Sequence, residues 1–239
     1  MRRESGAAPV RDVALPSSAR LTAWQGLDTP GFRLAWDALA QCASEPNPFH
    51  ESWYLLPSLR ALDPQGSVAI LRFDHDGELA GLLPLRRESR YYGWPIPHWC
   101  NWVHGNCFLG APLVAKGLER EFWSALLRWQ DAHCGAGLFL HLSQLPLDGP
   151  LHAALQAVLA AQGRGAALVH EGQRAMLSSS LGAQDYFEAS LSGKKRKELR
   201  RQHARLGELG ELVFERRDDG QRLGRWIDDF LALEHSGWK

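Results

Sequence analysis

Long apolar runs are missing from this chain. No stretch of its 239 residues approaches the roughly 18 consecutive apolar side chains that a membrane-spanning helix requires. Arg2 and Arg3 are followed by no apolar segment, so an export signal is not expected either. Cysteine is scarce, at positions 42, 100, 107 and 134, with no CxxC pair. That argues against a disulfide framework and predicts reduced, mostly buried thiols in a cytoplasmic protein. GxSxG, Walker and zincin motifs are absent, which leaves hydrolase and nucleotide-triphosphatase chemistry without support. Net charge is absent too, because 27 Lys and Arg balance 27 Asp and Glu. A neutral chain has no general attraction for nucleic acid.

Against that neutrality one segment stands out, Gly193 to Arg205. It holds seven basic residues and one acid, and three of the five lysines of the chain fall between positions 194 and 197. Such concentration implies an anion, a surface or a partner. Lys194, Arg196, Lys197, Arg200 and Arg201 are the candidate anion- or substrate-binding residues, for the phosphates of a nucleotide-linked sugar, CoA or a polymeric anion. The plain alternative is a solvated helix face. A membrane surface fits less well, because the apolar side offers leucines without Trp or Phe anchors. Nucleic acid is not expected, since no aromatic residues interleave with the cations to stack bases.

Length permits one large domain or two small ones with a proper core, and ten tryptophans promise aromatic burial. Residues 1–19, rich in Pro, Ser, Ala and Arg, read as a disordered tail. A short strand is predicted at Leu21 to Leu27, then helices at Phe32 to Ala43 and Trp53 to Leu62, separated by Pro46-Asn-Pro48. Ser67 to Phe73 and Glu78 to Leu85 flank Asp74-His-Asp-Gly77, which predicts a hairpin apolar on both faces and so covered on both. Tyr91 to Val114 reads as irregular loop with one or two short strands. An amphipathic helix follows at Glu119 to His133, a buried strand at Leu138 to Leu142, and an apolar helix at Leu151 to Ala161 ended by Gly163. Ala166 to His170, Arg174 to Ser179 and Glu211 to Arg217 read as strands. Ala183 to Leu209 reads as one long helix or two joined at Ser192-Gly193. Asp218 is placed to cap a last helix, with Gln221 completing a capping box and Gly237 at its carboxyl end. The sum is an α/β or mixed α+β layered fold.

Two further clusters carry alternatives. His98, Cys100, His104 and Cys107 are zinc-ligand types, but their interleaved order departs from the usual C-x₂₋₄-C and H-x₃₋₅-H spacings. Buried thiols and hydrogen-bonded imidazoles are the preferred reading, with no metal. Tyr91, Tyr92, Trp94, Trp99 and Trp102 suit either ordinary core filling or a sugar-contacting surface.

The hairpin Asp76-Gly-Glu-Leu-Ala-Gly-Leu-Leu-Pro-Leu85 resembles the central strands of Gcn5-related (GNAT) acyltransferases. The later run Tyr186-Phe187, Ser192-Gly-Lys-Lys-Arg-Lys-Glu-Leu-Arg-Arg201, Leu212-Val-Phe214, Phe230-Leu-Ala-Leu-Glu234 and Trp238-Lys239 is similar to the bacterial CelD/BcsL, or BioF2-like, acetyltransferase family, over residues 20–239. The resemblance implies tandem GNAT-like halves, at 20–180 and 181–239, the second incomplete and the chain truncated at its carboxyl end. It implies acetyl-CoA as co-substrate and transfer of the acetyl group to an amine or hydroxyl of a sugar or cell-envelope, exopolysaccharide precursor. The alternative is a non-catalytic GNAT-like module that binds an anionic glycan precursor or a protein partner through the basic helix. Peripheral association with envelope synthesis machinery belongs to the same implication.

A GNAT pyrophosphate loop presents bare amides at a helix amino terminus after a strand. Gln162-Gly-Arg-Gly165-Ala-Ala167 fits the letters but follows a helix. Gln221-Arg-Leu-Gly224-Arg-Trp226 has the right context but sets an indole where backbone must approach the ligand. The sequence therefore singles out no catalytic residue and no cofactor-binding residue.

Overall fold

The computed structural model describes residues 18–133, 135, 137–175 and 178–237. Residues 1–17 of the expected tail and Cys134 lie outside them, while Ser18 and Ala19 already belong to a strand. The chain divides into two compact units, the first through Val169 and the second from His170.

The first unit is a mixed sheet with helices on both faces. Strand β1 (Ser18–Ala23) leads into a one-turn helix α1 (Trp24–Leu27), then α2 (Pro30–Gln41), a 3-10 turn (Pro48–His50) and α3 (Ser52–Leu62). Thr29 caps α2 by accepting from Phe32 N, and Pro30 starts it, as proline can at a first helical position. Strands β2 (Val68–His75) and β3 (Glu78–Glu88) form the expected hairpin, and its turn uses Asp76 and Gly77 at φ 51° and 85°. That pair of left-handed residues is what a tight two-residue hairpin demands. Then come β4 (His98–Asn101), β5 (Leu113–Val114), α4 (Glu119–Ala132), β6 (Leu140–His141) and α5 (Pro150–Ala161). The sheet order is β1-β2-β3-β4-β6, with β5 also on β3; every pairing is antiparallel except β4 with β6.

Two-sided apolarity of the hairpin is explained by two cores. Leu71, Phe73, Leu83 and Leu85 face α4 and α5 with Phe122, Trp123, Leu126 and Leu151. Val68, Ile70 and Leu82 face α1, α2 and α3 with Trp24, Trp36, Leu55 and Leu59. Close approach of α4 is permitted by Gly81, where a Cβ would stand 2.6 Å from the Phe122 ring. Trp123 Nε1 donates to Leu151 O at 2.9 Å and fastens α4 to α5. Gly163, at φ 62°, ends α5 as the sequence predicts.

The second unit consists of α6 (Ala183–Ser190), α7 (Gly193–Gly207) and α8 (Leu223–His235). The long helix is therefore two, with the break at Leu191-Ser192, where the Ser192 side chain accepts from Lys195 N at 3.3 Å. Helix α8 starts later than the sequence implies. Asp219 accepts from Gln221 N, Arg222 sits at φ 61°, and no side chain caps the helix. Gly237 takes φ 75° after its end, as expected. Residues 166–170, 174–175, 178–179 and 211–217 are not strands; Met176 and Leu177 lie outside the described residues. Branched and apolar side chains supply strand propensity there, but among the described residues no ladder partner completes it. None of α6, α7 and α8 carries a buried residue.

Candidate functional site

Strand β3 pairs along one line with β4 and then β5, but the line is interrupted. Trp102 N donates to Pro84 O, and the next ladder rung is Leu82 with Leu113. Residues 103–112 leave the sheet in between. Asn47 holds this excursion by donating from Nδ2 to Ala111 O at 2.6 Å, and Tyr54 Oη donates to Asn106 O at 2.6 Å. Tyr54 also stacks on His104 at 6.1 Å with rings 8° from parallel, and Phe108 meets Phe49 edge-on.

Where the excursion leaves, the backbone ladder between β4 and β6 ends. Their parallel ladder comprises only Trp99 with Leu140 and Cys100 with His141. Past it, the Asn101 side chain takes over the pairing. Its Nδ2 donates to Gly110 O and Ser143 O, both at 2.8 Å, and its Oδ1 accepts from Ser143 N at 2.8 Å. Asn101 is 2% exposed, and its bond to Gly110 O is buried while those to Ser143 are partly so. Gly110 N donates to Gln144 O at 2.9 Å, and a side chain at Gly110 would collide with Ser143 O and the Asn101 amide.

Beside this junction lies an open cleft of about 270 Å³, lined by Arg86, Arg90, Tyr91, Tyr92, His98, Cys100, Asn101, Val103, His141 and Ser143. The lining draws on β3, β4, β6 and adjoining loops, and no helix contributes to it. Alternation brings its residues together: Arg86 is opposite Cys100 across β3–β4, and Cys100 is opposite His141 across β4–β6. Burial lowers the pKa of His141, and nearby His98 lowers it further, so His141 is neutral at pH 7 and can accept a proton. Burial raises the Cys100 thiol, chiefly, against the opposing effect of Arg86, so this cysteine is not an activated nucleophile. Tyr91 packs edge-on against His98 at 5.2 Å and Phe139 at 5.0 Å, which fixes one wall.

A second hollow of about 360 Å³ lies at the amino ends of α4 and α5, lined by Gly117, Glu119, Arg120, Glu121, Pro150, Ala153 and Ala154. Two helix amino termini normally attract an anion. Here carboxylates of the chain itself stand at both. Glu45 accepts from Leu151 N in the first turn of α5 at 2.8 Å, while Glu119, the first residue of α4, accepts from Gly117 N ahead of the helix at 3.0 Å. Glu121 adds a further carboxylate in the first turn of α4. These residues do not fit a pyrophosphate.

The sequence-named residues fall in several places. Lys194, Arg196, Lys197, Arg200 and Arg201 all lie on α7, but their states differ. Arg196 is half-buried and donates from Nη1 to Glu188 O at 2.5 Å and Leu191 O at 2.7 Å, closing the carboxyl end of α6. Arg201 makes a two-pronged pair with Glu198, at 3.0 and 2.7 Å. Arg200 donates to Arg196 O at 3.4 Å. Lys194 and Lys197 are exposed and form no ion pair among the described residues. The His/Cys cluster is split: His98 and Cys100 border the cleft, while His104 is on the excursion and Cys107 Sγ donates to Leu109 O at 3.3 Å. No group of three or more metal-ligating side chains occurs among the described residues. Of the thiols, Cys107 is buried, Cys100 half-buried and Cys42 exposed, so mostly buried thiols was an overstatement for these three. Trp99 and Trp102 are core-facing, whereas Tyr92 and Trp94 are 77% and 70% exposed.

Of the two near-match loops, Gln162-Gly163 closes α5 and precedes irregular chain, not a strand followed by a helix. Gln221 to Trp226 does enter α8, whose first turn carries no acid and no side-chain cap. Sequence reasoning missed Arg86, Arg90, Asn101, His141 and Ser143. One signal was present, since Arg86-Arg87 interrupts an apolar strand while still inside it.

No protein-family profile and no curated protein matches the sequence. Among solved structures the chain is similar to GNAT-family acetyltransferases. One, from Staphylococcus aureus, is 9% identical over 68% of this chain and 100% of that one, with a TM-score of 0.39. The aminoglycoside acetyltransferase AAC(6')-Iy, in complex with a CoA bisubstrate analogue, is 15% identical over 70% of this chain and 100% of that one, at a TM-score of 0.37. A third, meta-AAC0020 from an uncultured soil metagenomic sample, in complex with trehalose, is 14% identical over 70% and 97%, at 0.36. At such identities and scores the likeness says nothing of what this chain binds. Among the described residues no helix is long and apolar enough to cross a membrane.

Proposed function

We propose that the chain is an acyltransferase of the GNAT type, of the CelD/BcsL kind and cytoplasmic. It moves an acetyl group from acetyl-CoA to an amine or hydroxyl on a sugar or exopolysaccharide precursor. The observation that carries this reading is the end of the β4–β6 ladder after two parallel rungs, with an open cleft beside the junction. An acceptor seated there lies against His141, whose lowered pKa leaves an imidazole free to take its proton. The acceptor nitrogen or oxygen then attacks the thioester carbonyl, the C–S bond breaks, and coenzyme A leaves as the thiol by taking the proton back from His141. In this reading residues 20–180 form one GNAT-like half and residues 181–239 belong to a second. The donor pyrophosphate is not held at α4, because carboxylates, Glu119 and Glu121, occupy its first turn.

That occupation favours a second reading, a binding module that holds an anionic glycan precursor or a protein partner through Lys194, Lys197 and the rest of α7. Calorimetry of the chain with acetyl-CoA separates the two. Binding heat at millimolar ligand, followed by acetyl release to an amino sugar, supports the enzyme. A folded sample that gives no heat rejects it for this chain and leaves the module.

A further inference from the structure

We infer that the cleft between β4 and β6 takes a single ring bearing one carboxylate, with Arg86 and Arg90 on the carboxylate and Tyr92 against the ring. The inference rests on the cleft being the acceptor site of the reading above and narrows the chemistry of what enters it.

Charge gives the first argument. The ten lining residues include two arginines and no carboxylate, in a chain whose net charge is zero. Glu88, two positions along the same strand, pairs with Arg86 and offsets one of the two cations. The balance is one positive charge, matched by a monoanion rather than a polyphosphate. The pairing with Glu88 uses one terminal nitrogen of Arg86, whose side chain is 40% exposed and so reaches the cleft. Arg90 spends one Nη1 hydrogen on Gly93 O at 3.0 Å, which holds its guanidinium beside the same turn and leaves its other donors open.

Shape gives the second argument. Tyr91 and Trp94 exchange two backbone hydrogen bonds, at 2.9 and 3.0 Å, across a turn whose central residues are Tyr92 and Gly93. Both adopt positive φ, 47° and 86°. For Gly93 that is ordinary, whereas for a tyrosine the left-handed region is unfavourable, and such strain collects at binding sites. The strain presents a 77% exposed phenol ring at the rim of the cleft. An aromatic face in water suits the apolar face of a ring. The volume, about 270 Å³, falls just below the range of drug-sized pockets and accommodates one ring.

A ring with one carboxylate has two chemical sources, a uronic-acid sugar and an aryl carboxylate. The full chain is titrated with D-glucuronate and with benzoate, using D-glucose as a ring without charge and acetate as a charge without a ring. The imidazole signals of His98 and His141 report occupancy by NMR. One of the carboxylated rings should bind at least tenfold more tightly than both controls, and which one names the source. Arg90→Gln, at an exposed position, should weaken that binding at least fivefold, and Arg86→Gln should do the same. If neither carboxylated ring outbinds glucose and acetate, or if both variants bind as the parent does, the inference is wrong. No acyl donor enters these titrations. Failure to bind acetyl-CoA therefore leaves the carboxylate site standing, and failure here leaves transfer to an uncharged acceptor open.

Discussion

His50 is the most perturbed single residue of the first unit. It is fully buried at the end of the 3-10 turn, and neither ring nitrogen makes a well-formed hydrogen bond. The Ala111 backbone lies close enough to favour the cation slightly, but desolvation outweighs it and lowers the pKa to about 4. His104 pushes in the same direction. The unfolded imidazole has its ordinary value near 6.5, so between pH 6.5 and 4 the unfolded chain binds the extra proton. Stability is therefore complete above pH 6.5 and falls as the solution is acidified, by on the order of 3 kcal/mol at pH 4. His50→Leu should flatten that part of the pH profile in urea titrations and leave neutral stability equal or higher, since it removes two unpaired polar atoms. An unchanged slope in the variant would show that other groups carry the acid sensitivity. At Asn101 the opposite situation holds, with every polar atom satisfied. Asn101→Leu leaves Ser143 N, Ser143 O and Gly110 O without partners, and should cost about 2–4 kcal/mol as a fall in the urea midpoint. A loss under 1 kcal/mol would mean that water reaches the junction.

Among the elements, the hairpin and the amphipathic helices were legible because their signals are local. Asp76-Gly77 specifies the turn, and the spacing of Phe122, Trp123, Leu126 and Trp129 specifies a buried helix face. The split of one strand line into β4 and β5 was not legible, because the rungs Pro84–Trp102 and Leu82–Leu113 are set by the partner strand. The cleft was half legible for the same reason. His98 and Cys100 drew attention as a motif, but their true neighbours, Arg86 and His141, come from other strands. On α7 the sequence names Arg196 among five candidate anion-binding cations. Its bonds to Glu188 O and Leu191 O make it instead a cap for α6, where terminal carbonyls otherwise lack donors. Charge reversal of Lys194 and Lys197 should keep far-UV helicity within error of the parent. Arg196→Glu should reduce it, because a carboxylate replaces the donor at a helix carboxyl end. Equal spectra for both would show that the α6–α7 joint does not depend on this guanidinium.

For the molecule as a whole, burial is distributed unevenly. Every buried apolar residue among those described lies between Trp24 and Leu159. Helix α8, by contrast, leaves Leu223, Ile227, Phe230 and Leu231 between 48% and 60% exposed. Most folding free energy comes from removing apolar surface from water, at about 25 cal/mol per Å². The stability of the chain is therefore held by the first unit, and the cleft, which lies wholly within residues 86–143, should survive without the second. A fragment ending at Val169 should unfold cooperatively with a midpoint within a few degrees of the full chain, and its near-UV tryptophan spectrum should keep its fine structure. It should also retain the histidine NMR shifts of His98 and His141. A fragment that is soluble but molten, with exposed tryptophan fluorescence, would show that the second unit contributes packing which its exposed helices do not reveal. The reverse fragment, residues 170–239, should show partial helicity without a cooperative transition. Three helices of 8, 15 and 13 residues with no buried side chain have only capping and local pairs to hold them, and isolated helices of such lengths are marginal in water.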